Sequence, residues 1–373
     1  MDKLRIGVAG AGNISDIYLR NITGVFSPMV TVTAIANRTR EKAEKAAERY
    51  RIPRVCTLDE LIKAEDVALI LNLTAPDQHY KLAMAAVQAG KHVYNEKPLC
   101  ITREDAAALL KTAAENKVRV GCAPDTFLGA GMQTCRKLLD DGWIGRPIAG
   151  AAFVMNHGME AWHPSPEAFY KTGGGPLFDV GPYYLTALVN LLGPVARVSG
   201  STRKSFETRT VTSEPQAGTI ITVDVPTHVA ATLDFANNAV VTLVASFDVW
   251  SHSMPYIELY GTEGTLRLPD PNMFRGAAYV RRYKAEAWSE IPLVMHHTDD
   301  CKDAGEWRGG ANLRGLGVVD MADAIANDFP HRASGDLAYH ILDVMHGIYE
   351  AAASGVYYKV KSTCECPAAF QKC

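Results

Sequence analysis

The first third of the chain alternates short apolar runs with stretches of helical periodicity. Helix signals between the runs include a capping box that begins at Thr57, Pro76-Asp77 at the start of a helix that Gly90 ends, and Thr102 with Asp105 at the start of the last helix. Strands that alternate with helices lie side by side in parallel, so this region predicts a doubly wound α/β sheet. The apolar runs occupy residues 4–9, 30–36, 67–74, 91–95 and 118–123.

Near Pro124 the pattern changes, and beyond it runs of period two indicate an antiparallel sheet with a hairpin turn at Asn237-Asn238. A long apolar helix is predicted after Gly173-Gly174-Gly175, reaching Leu192. We expect two domains, residues 1–124 and residues 125–373. The predicted strands cover residues 219–225, 228–235, 239–247, 256–260 and 265–268, and further helices cover 128–141, 313–327 and 334–353.

The composition is that of an ordinary globular chain of about two domains, with 373 residues of which 47% are hydrophobic. The net charge of −3, from 38 basic and 41 acidic residues, argues against general nucleic-acid binding. No apolar run approaches the ~18 residues of a membrane span. A strand-like run begins at Leu4 and leaves no room for a leader, so we expect a cytoplasmic protein.

The cysteines and histidines do not form a metal-binding pattern. Eight cysteines are scattered along the chain and are expected to be reduced thiols. The C-x-C pair Cys364 and Cys366 lacks the paired C-x-x-C or nearby His that zinc sites have. His296-His297 and Asp299-Asp300 are adjacent on one loop, which is poor geometry for one ion, so no metal site is predicted.

A glycine turn, Gly10-Ala11-Gly12-Asn13-Ile14-Ser15, follows the first apolar run. The first glycine permits the tight turn, and the second lets the backbone approach a pyrophosphate that rests on the next helix's N-terminus. Ser15 replaces the third glycine, so the fingerprint is imperfect. Because strand, turn, helix and next strand are all present, we predict dinucleotide binding at Gly10, Gly12, Asn13 and Ile14. The alternative is a tight turn without a ligand.

The end of the second apolar run selects between the two nicotinamide cofactors. An acidic residue there binds the ribose hydroxyls of NAD, whereas this chain has Asn37-Arg38-Thr39. Arg38 and Thr39 are able to pair with the 2′-phosphate of NADP. We therefore expect NAD(P) at Asn37 and Arg38, with NADP favoured over NAD. The alternative is that Arg38 stacks on adenine or faces water, which leaves the protein NAD-dependent or dual.

Three further segments complete a family pattern. Residues 72–76 read NLTAP with His79 beyond them, residues 94–99 read YNEKPL, and residues 173–184 read GGGPLFDVGPYY. With the glycine turn, this order resembles the glucose–fructose oxidoreductase, inositol dehydrogenase and rhizopine-catabolism (Gfo/Idh/MocA) oxidoreductase family over nearly the whole chain. The resemblance implies an N-terminal Rossmann domain and a C-terminal α/β domain with a large open, mainly antiparallel sheet. It also implies a homodimer or homotetramer formed through that sheet.

The resemblance implies an activity and residue roles as well. The family transfers a hydride reversibly between nicotinamide and a secondary alcohol, usually of a sugar, sugar derivative or cyclitol. Lys97 matches its catalytic lysine, before a bond to Pro98 that is often cis, and Asp179 matches its substrate-orienting aspartate. Tyr183 stands where histidine is common, which changes the proton carrier. Residues expected at the cofactor also include Thr74, Pro76, His79, Glu96 and Lys97.

The residue types suit this chemistry. A developing alkoxide needs a nearby positive charge, which Lys97 supplies, and burial is expected to move this lysine toward neutral-pH work. Asp179 lies one predicted helix turn before Tyr183 on the same face, where it is able to hold a substrate hydroxyl or Lys97. The alternative for Tyr183 is a packed aromatic ring with a satisfied hydroxyl.

Substrate contacts are expected from loops at the carboxyl end of the sheet and near the glycine-rich turn. An aromatic ring with polar neighbours suits a sugar, which has apolar faces and hydroxyl edges. For Trp162-His163 the alternative is a Pro-rich loop that packs on itself. Arg308 is able to reach the cofactor or an anionic substrate, or else it lies in solvent. The expected substrate contacts are Lys97, Asp125, Phe127, Trp162, His163, Asp179 and Tyr183.

Two other functions fit the same fold. A redox-neutral enzyme that cleaves glycosides through transient oxidation would retain its nicotinamide during turnover. A non-enzymatic sensor would bind dinucleotide and a partner protein. Lys97 and Asp179 argue against the sensor, because relatives of that kind tend to lose the catalytic lysine.

Overall fold

The N-terminal part is a six-stranded parallel sheet, described from a computed structural model that covers residues 3–293, 305–307 and 310–370. The strands are β1 (Leu4–Ala9), β2 (Val30–Ala36), β3 (Val55–Cys56), β4 (Leu69–Asn72), β5 (His92–Asn95) and β6 (Val120–Cys122). Their order is β3-β2-β1-β4-β5-β6, so the predicted doubly wound sheet is confirmed. Only β3 was not predicted, because two residues are too short to show a period.

The helices that connect these strands begin where the local signals predict. Thr57 and Glu60 form the capping box, and the Thr102 hydroxyl accepts a hydrogen bond from the Asp105 amide at 3.1 Å. Pro76 is the first helical residue after β4, where its missing N–H needs no partner. The helices are α1 (Ser15–Thr23), α2 (Arg40–Tyr50), α3 (Leu58–Lys63), α4 (Pro76–Gln88) and α5 (Arg103–Glu115).

The C-terminal part is built on a second, larger sheet. The strands that follow β6 are β7 (Pro147–Met155), β8 (Val195–Arg203), β9 (Thr208–Thr210), β10 (Ile220–Thr222), β11 (His228–Phe235), β12 (Val240–Ser246), β13 (Ile257–Gly261), β14 (Gly264–Leu268), β15 (Ala278–Arg282), β16 (Ser289–Ile291), β17 (Gly305–Trp307), β18 (Gly310–Asn312) and β19 (Tyr358–Lys359). Nine of them form one sheet in the order β16-β15-β14-β13-β7-β12-β11-β8-β19. β9 with β10, and β17 with β18, form separate two-stranded ribbons.

The nine-stranded sheet is mainly antiparallel, as predicted, with one parallel pair between β7 and β12. β7 was not predicted, because its sequence PIAGAAFVM is rich in Ala and Gly rather than in the β-branched residues typical of strands. Residues 219–225 were predicted as part of the main sheet. This prediction is wrong, since they contribute β10 to the ribbon with β9.

The long apolar helix predicted to end at Leu192 is two helices, so the prediction that Asp179 and Tyr183 share one helix face is wrong. The break lies at Val180, and Pro182 explains it. Inside one continuous helix Pro182 would leave the Phe178 carbonyl without its amide partner, whereas in a first turn its missing N–H is harmless. The C-terminal helices are α6 (Ala130–Asp140), α7 (Gly175–Asp179), α8 (Gly181–Leu192), α9 (Leu316–Asn327) and α10 (Gly335–Ser354).

The last two helices return to the first sheet. Ser334 pairs with Gly121 of β6 through an isolated β-bridge, and the Cys122 amide donates to the Ala333 carbonyl at 3.0 Å. One apolar core cluster includes buried residues of both sheets. The division into residues 1–124 and 125–373 stays a prediction. Across the residues that are described, no helix is both long and apolar enough to cross a membrane.

Candidate active site

A cavity of about 1760 Å³ lies where the ends of β1, β4 and β5 face the nine-stranded sheet. It brings together most of the residues predicted for the site. Those that line it are Asn13, Ile14, Thr74, Pro76, His79, Glu96, Lys97, Trp162, His163, Asp179 and Tyr183. Gly10 and Gly12 lie just before Asn13 in the glycine turn. The cavity wall does not include Asn37, Arg38, Asp125 or Phe127.

The glycine turn has the geometry of an anion-binding loop. Gly10 has φ +106°, and a Cβ there would lie 2.6 Å from the Leu73 carbonyl oxygen. A Cβ at Gly12 would meet nothing within 4 Å, so this glycine faces open space at the start of α1. Ile14 caps α1 without a side-chain hydrogen bond, and the Ser15 hydroxyl donates to the Gly12 carbonyl at 2.6 Å. The turn therefore presents backbone and a helix N-terminus to a ligand.

In the segment after β2, one polar side chain contacts the glycine turn and others line a second cavity. The Asn37 Oδ1 accepts from the Ala11 amide at 3.0 Å, and its Nδ2 donates to the Thr39 carbonyl at 2.9 Å. Asn37 therefore braces the glycine turn. Arg38 is exposed, and with Arg40 and Asn37 it lines a cavity of about 340 Å³.

Lys97 lies two residues after the end of β5 and lines the large cavity. Its Nζ donates to the Asp179 carboxylate at 2.9 Å and to the Asp179 carbonyl at 2.6 Å, and both side chains are 17% exposed. Burial lowers the pKa of Lys97, but the facing Asp179 and Tyr183 raise it, and the net direction is upward. The expectation that burial moves this lysine toward neutral pH is therefore wrong, because burial, although the largest single effect, is outweighed by Asp179, Tyr183 and Glu96 together.

Tyr183 is buried beside two cations. Lys97 Nζ lies 5.4 Å from the centre of the Tyr183 ring, and Arg314 Nη2 lies 3.4 Å from its hydroxyl oxygen. Burial lowers the pKa of the Arg314 guanidinium, but Tyr183 and Glu96 raise it, so Arg314 stays a cation. The sequence reasoning missed Arg314 and considered Arg308, which lies outside the described residues. The available signal was an arginine inside an otherwise apolar run, residues 313–319.

The loops after β4 and β5 are tied to each other behind Lys97. The His79 ring nitrogens lie 2.6 Å from the Pro98 carbonyl oxygen and 3.0 Å from that of Thr74, and burial lowers the His79 pKa. The Lys97-Pro98 bond is cis, as the resemblance implied. Glu96 accepts from the Tyr18 hydroxyl at 2.9 Å and from the Lys97 amide at 2.8 Å.

The remaining predicted substrate contacts separate into two groups. Trp162 lines the cavity and is 63% exposed, and His163 beside it is held by a 2.6 Å hydrogen bond from the Ser213 hydroxyl to its carbonyl. Asp125 and Phe127 are buried away from the cavity, so the geometry does not bring them to the substrate. Burial raises the pKa of Asp125 to about 6, although amide hydrogen bonds from Gly317 and Gly315 oppose this.

No group of three or more His, Cys, Asp or Glu is placed to hold a metal within the described ranges. His296-His297, Asp299-Asp300 and Arg308 lie outside them. The six cysteines described, Cys56, Cys100, Cys122, Cys135, Cys364 and Cys366, are free thiols.

Two family models match most of this chain. Residues 4–123 match an oxidoreductase family with an NAD-binding Rossmann fold, and residues 132–267 match the GFO/IDH/MocA C-terminal domain. The dTDP-3,4-didehydro-2,6-dideoxy-alpha-D-glucose 3-reductase of Streptomyces violaceoruber is 34% identical over 238 residues, 62% of this chain and 66% of its own length. Inositol 2-dehydrogenase of Salmonella typhimurium is 27% identical over 174 residues, which is 45% of this chain and 51% of its own length. The chain thus spans between half and two thirds of these relatives.

Solved structures share the fold over the whole chain. An NAD binding oxidoreductase from Klebsiella pneumoniae superposes with a TM-score of 0.81 at 22% identity, covering 96% of this chain and 99% of its own. Levoglucosan dehydrogenase in complex with NADH and L-sorbose superposes with a TM-score of 0.80 at 20% identity, with coverage of 96% and 99%.

Proposed function

The chain belongs to the GFO/IDH/MocA oxidoreductase family, and we propose that it transfers a hydride between a nicotinamide cofactor and a secondary hydroxyl of a sugar, sugar derivative or cyclitol. One observation carries the proposal. Lys97, held by Asp179, lies in the same cavity as the end of the glycine turn. A charged group for the reacting oxygen and a loop suited to a pyrophosphate are therefore within one site.

The residues present fit a dinucleotide. The open space at Gly12 and the start of α1 suit a pyrophosphate, and Asn13, Ile14, Thr74 and Pro76 continue that surface into the large cavity. When bound, the nicotinamide supplies or accepts the hydride at the substrate carbon. Glu96 and His79 hold the surrounding loops through the hydrogen bonds described above.

The protein's side chains manage the charge and the proton. In the reduction direction the carbonyl carbon gains a hydride, and its oxygen gains a proton. The Lys97 ammonium stabilises the negative charge that develops on that oxygen, Asp179 holds a neighbouring hydroxyl, and Tyr183 donates the proton. Oxidation is the reverse. Asp179 has a second effect, because its charge keeps Lys97 protonated.

Trp162 supplies an apolar face at the cavity mouth for the substrate. Its ring is 63% exposed, yet its loop is anchored by the hydrogen bond from Ser213 to the His163 carbonyl. A sugar ring has apolar C–H faces that pack on such a ring, and polar edges that suit Lys97 and Asp179. This combination favours a polyol substrate over an apolar alcohol.

The decisive experiment is a panel of hexoses, glycosides and cyclitols, assayed by nicotinamide absorbance with NADP and NAD in parallel. Turnover of one polyol class that is lost in Lys97→Met, with cofactor binding retained, is the expected result. Unaltered turnover in Lys97→Met would refute the role of Lys97 in charge stabilisation and, with it, the proposed mechanism. Cofactor binding without turnover of any polyol would instead favour the redox-neutral or sensor alternatives.

We propose NADP as the preferred cofactor, because the segment after β2 offers an arginine and no acidic residue to the adenosine ribose. Asn37 is used to brace the glycine turn, which leaves exposed Arg38 free to reach a 2′-phosphate from the cavity it lines with Arg40. A charge-assisted bond of about 1.5 kcal/mol corresponds to roughly a tenfold rise in the KM for NADP in Arg38→Ala. The KM for NAD should stay within about threefold. Arg49→Ala, near the end of α2 and outside that cavity, is the matched control.

We also propose that two copies pair through the uncovered face of the nine-stranded sheet. One register row across that face consists of the small residues Ser199, Thr232, Thr242 and Ala151, followed by Glu258, of which Thr242 is exposed and the others are partly exposed. Small side chains allow close approach of a second sheet. Thr232→Arg should shift the molar mass from light scattering toward the monomer, whereas Thr208→Arg on the separate ribbon should not. A monomeric parent protein would refute the pairing.

A further inference from the structure

Arg314 places a buried cation in the wall of the large cavity. Its side chain is only 6% exposed, and it faces the cavity beside Tyr183. Its Nη1 donates to Asn312 Oδ1 at 2.9 Å, and its Nη2 lies 3.1 Å from Asn272 Oδ1 and 3.4 Å from the Tyr183 hydroxyl oxygen. Burying a guanidinium is costly, so such a position requires a compensating interaction or a function.

We propose that Arg314 is a positioning residue for Tyr183, which sets the direction in which the Tyr183 hydroxyl offers its proton. The inference rests on the proposed function, in which Tyr183 is the proton donor. In reduction, Tyr183 donates its proton to the carbonyl oxygen of a ketose or other carbonyl sugar. In oxidation, the group that faces Tyr183 is the matching secondary hydroxyl.

The argument follows from what each group is able to donate and accept. A guanidinium has five N–H donors and no acceptor, whereas a phenol oxygen accepts and its O–H donates. Arg314 therefore donates to a lone pair of the Tyr183 oxygen, and the hydroxyl proton has to point elsewhere. Lys97, on the ring side of Tyr183, is also a donor only and accepts nothing. Neither cation receives the Tyr183 proton, which leaves it for an acceptor in the cavity.

The guanidinium has a second effect during proton transfer. As the proton leaves, negative charge grows on the Tyr183 oxygen, and a fixed cation 3.4 Å away stabilises that charge. The 3.4 Å separation is long for a hydrogen bond, and such contacts in enzymes commonly tighten in the substrate complex.

The backbone that carries Arg314 is held from two sides. Asn21 of α1 donates through Nδ2 to the carbonyls of Asn312 and Arg314, both at 2.8 Å. On the other side the Asp125 carboxylate accepts from the amides of Gly315 and Gly317, at 2.9 and 3.0 Å. Through these bonds the buried Asp125 supports the backbone beside the cavity, although it does not contact the substrate. They fix the start of α9, so the guanidinium reaches Tyr183 from a rigid support.

The test is a double-mutant cycle of Arg314→Met and Tyr183→Phe, measured on the full-length protein with the best polyol and its ketone. If Arg314 acts through Tyr183, Arg314→Met lowers kcat by ~10²-fold and changes KM by less than ~3-fold. In the Tyr183→Phe background, the same substitution should lower kcat by less than ~3-fold further. A full additional loss in that background would overturn the inference, because it would show that Arg314 acts independently of Tyr183.

Two further variants keep the test decisive. Arg314→Lys retains a cation but lacks the planar fork, and added guanidinium ion should raise kcat of Arg314→Met but not of Arg314→Lys or Tyr183→Phe. Arg332→Met removes another largely buried arginine, which pairs with Asp320 away from the cavity, so it should lower stability and leave kcat unchanged. Cofactor binding by Arg314→Met is checked through the change in nicotinamide fluorescence that the parent protein gives. If this variant does not bind the cofactor, the cycle is run with Arg314→Lys instead.

The failure of this inference and that of the proposed function are distinguishable. A parent protein that binds cofactor but converts no polyol removes the proposed function, and the role of Arg314 falls with it. A parent protein that converts a polyol, with independent effects of Arg314→Met and Tyr183→Phe, removes the role of Arg314 alone.

Discussion

The substitution Asp179→Asn tests how the negative charge of Asp179 affects the pKa of Lys97, because asparagine keeps the shape of the side chain and an acceptor oxygen. Two unit charges 2.9 Å apart attract by about 6 kcal/mol at an effective dielectric constant of about 20. Screening by solvent at the partly exposed pair reduces this to about 3 kcal/mol, which corresponds to a change of about 2 in the Lys97 pKa. Once that charge is absent, burial still lowers the Lys97 pKa, and the smaller effects of Tyr183 and Glu96 oppose it.

The assay is kcat/KM for carbonyl reduction between pH 7 and 10.5. In the parent, Lys97 stays protonated because its pKa is raised, so no loss of activity from its deprotonation falls in this range. In Asp179→Asn, kcat/KM should decline as the pH rises toward the ordinary lysine value of about 10.4. Asp224→Asn, which removes the charge from the half-exposed Lys171–Asp224 pair, is the matched control and should leave the profile unchanged.

The same substitution has a predicted effect on stability. Because the folded-state pKa of Lys97 is raised, the pair stabilises the fold at every pH below the unfolded-state value of about 10.4. That contribution is lost only as the pH rises through the folded-state value. Asp179→Asn should therefore lower the free energy of unfolding in urea by about 3 kcal/mol at pH 7, which is the free energy that the pKa change of about 2 represents. A pH profile and a stability both equal to those of the parent would refute the reasoning.

Two other predictions concern the cofactor loop and the cavity mouth. Gly10→Ala should lower the free energy of unfolding by about 3 kcal/mol, because it forces a side chain into positive φ against the Leu73 carbonyl. Gly12→Ala should leave the unfolding of the cofactor-free protein unchanged, since a Cβ there meets nothing, but weaken dinucleotide binding in fluorescence titrations. Trp162→Ala should raise the substrate KM roughly 3- to 10-fold with little change in kcat. Equal stability of Gly10→Ala and Gly12→Ala, or an unchanged substrate KM in Trp162→Ala, would count against these predictions.

Much of the fold was predictable because its signals are local. The capping box at Thr57, the N-cap at Thr102 and the proline start of α4 each depend on residues within one helix turn, and all three are confirmed. The parallel sheet followed from the alternation of strands with helices. By contrast, β7 was missed because a central strand rich in Ala and Gly is held by its neighbours β12 and β13 rather than by its own propensity.

The candidate site was predictable in part. The residues of the glycine turn and of the segments after β4 and β5 converge, because the carboxyl ends of parallel strands meet at one edge. Asp125 also follows a strand of this sheet, but its carboxylate turns to the start of α9 and away from the cavity. Strand order places a backbone, and packing decides where the side chain points.

The sequence by itself determined the N-terminal parallel sheet, the glycine turn at Gly10 and Gly12, and the family, because each depends on residues near one another in the chain. Only the tertiary structure decided the partners of Lys97 and of Tyr183. Lys97, Asp179 and Arg314 are far apart in sequence, and electrostatic effects depend on distance in space. Burial alone predicts a lysine that gives up its proton readily. A carboxylate 2.9 Å away, together with Tyr183 and Glu96, raises the Lys97 pKa instead, and no local pattern in the sequence encodes that arrangement.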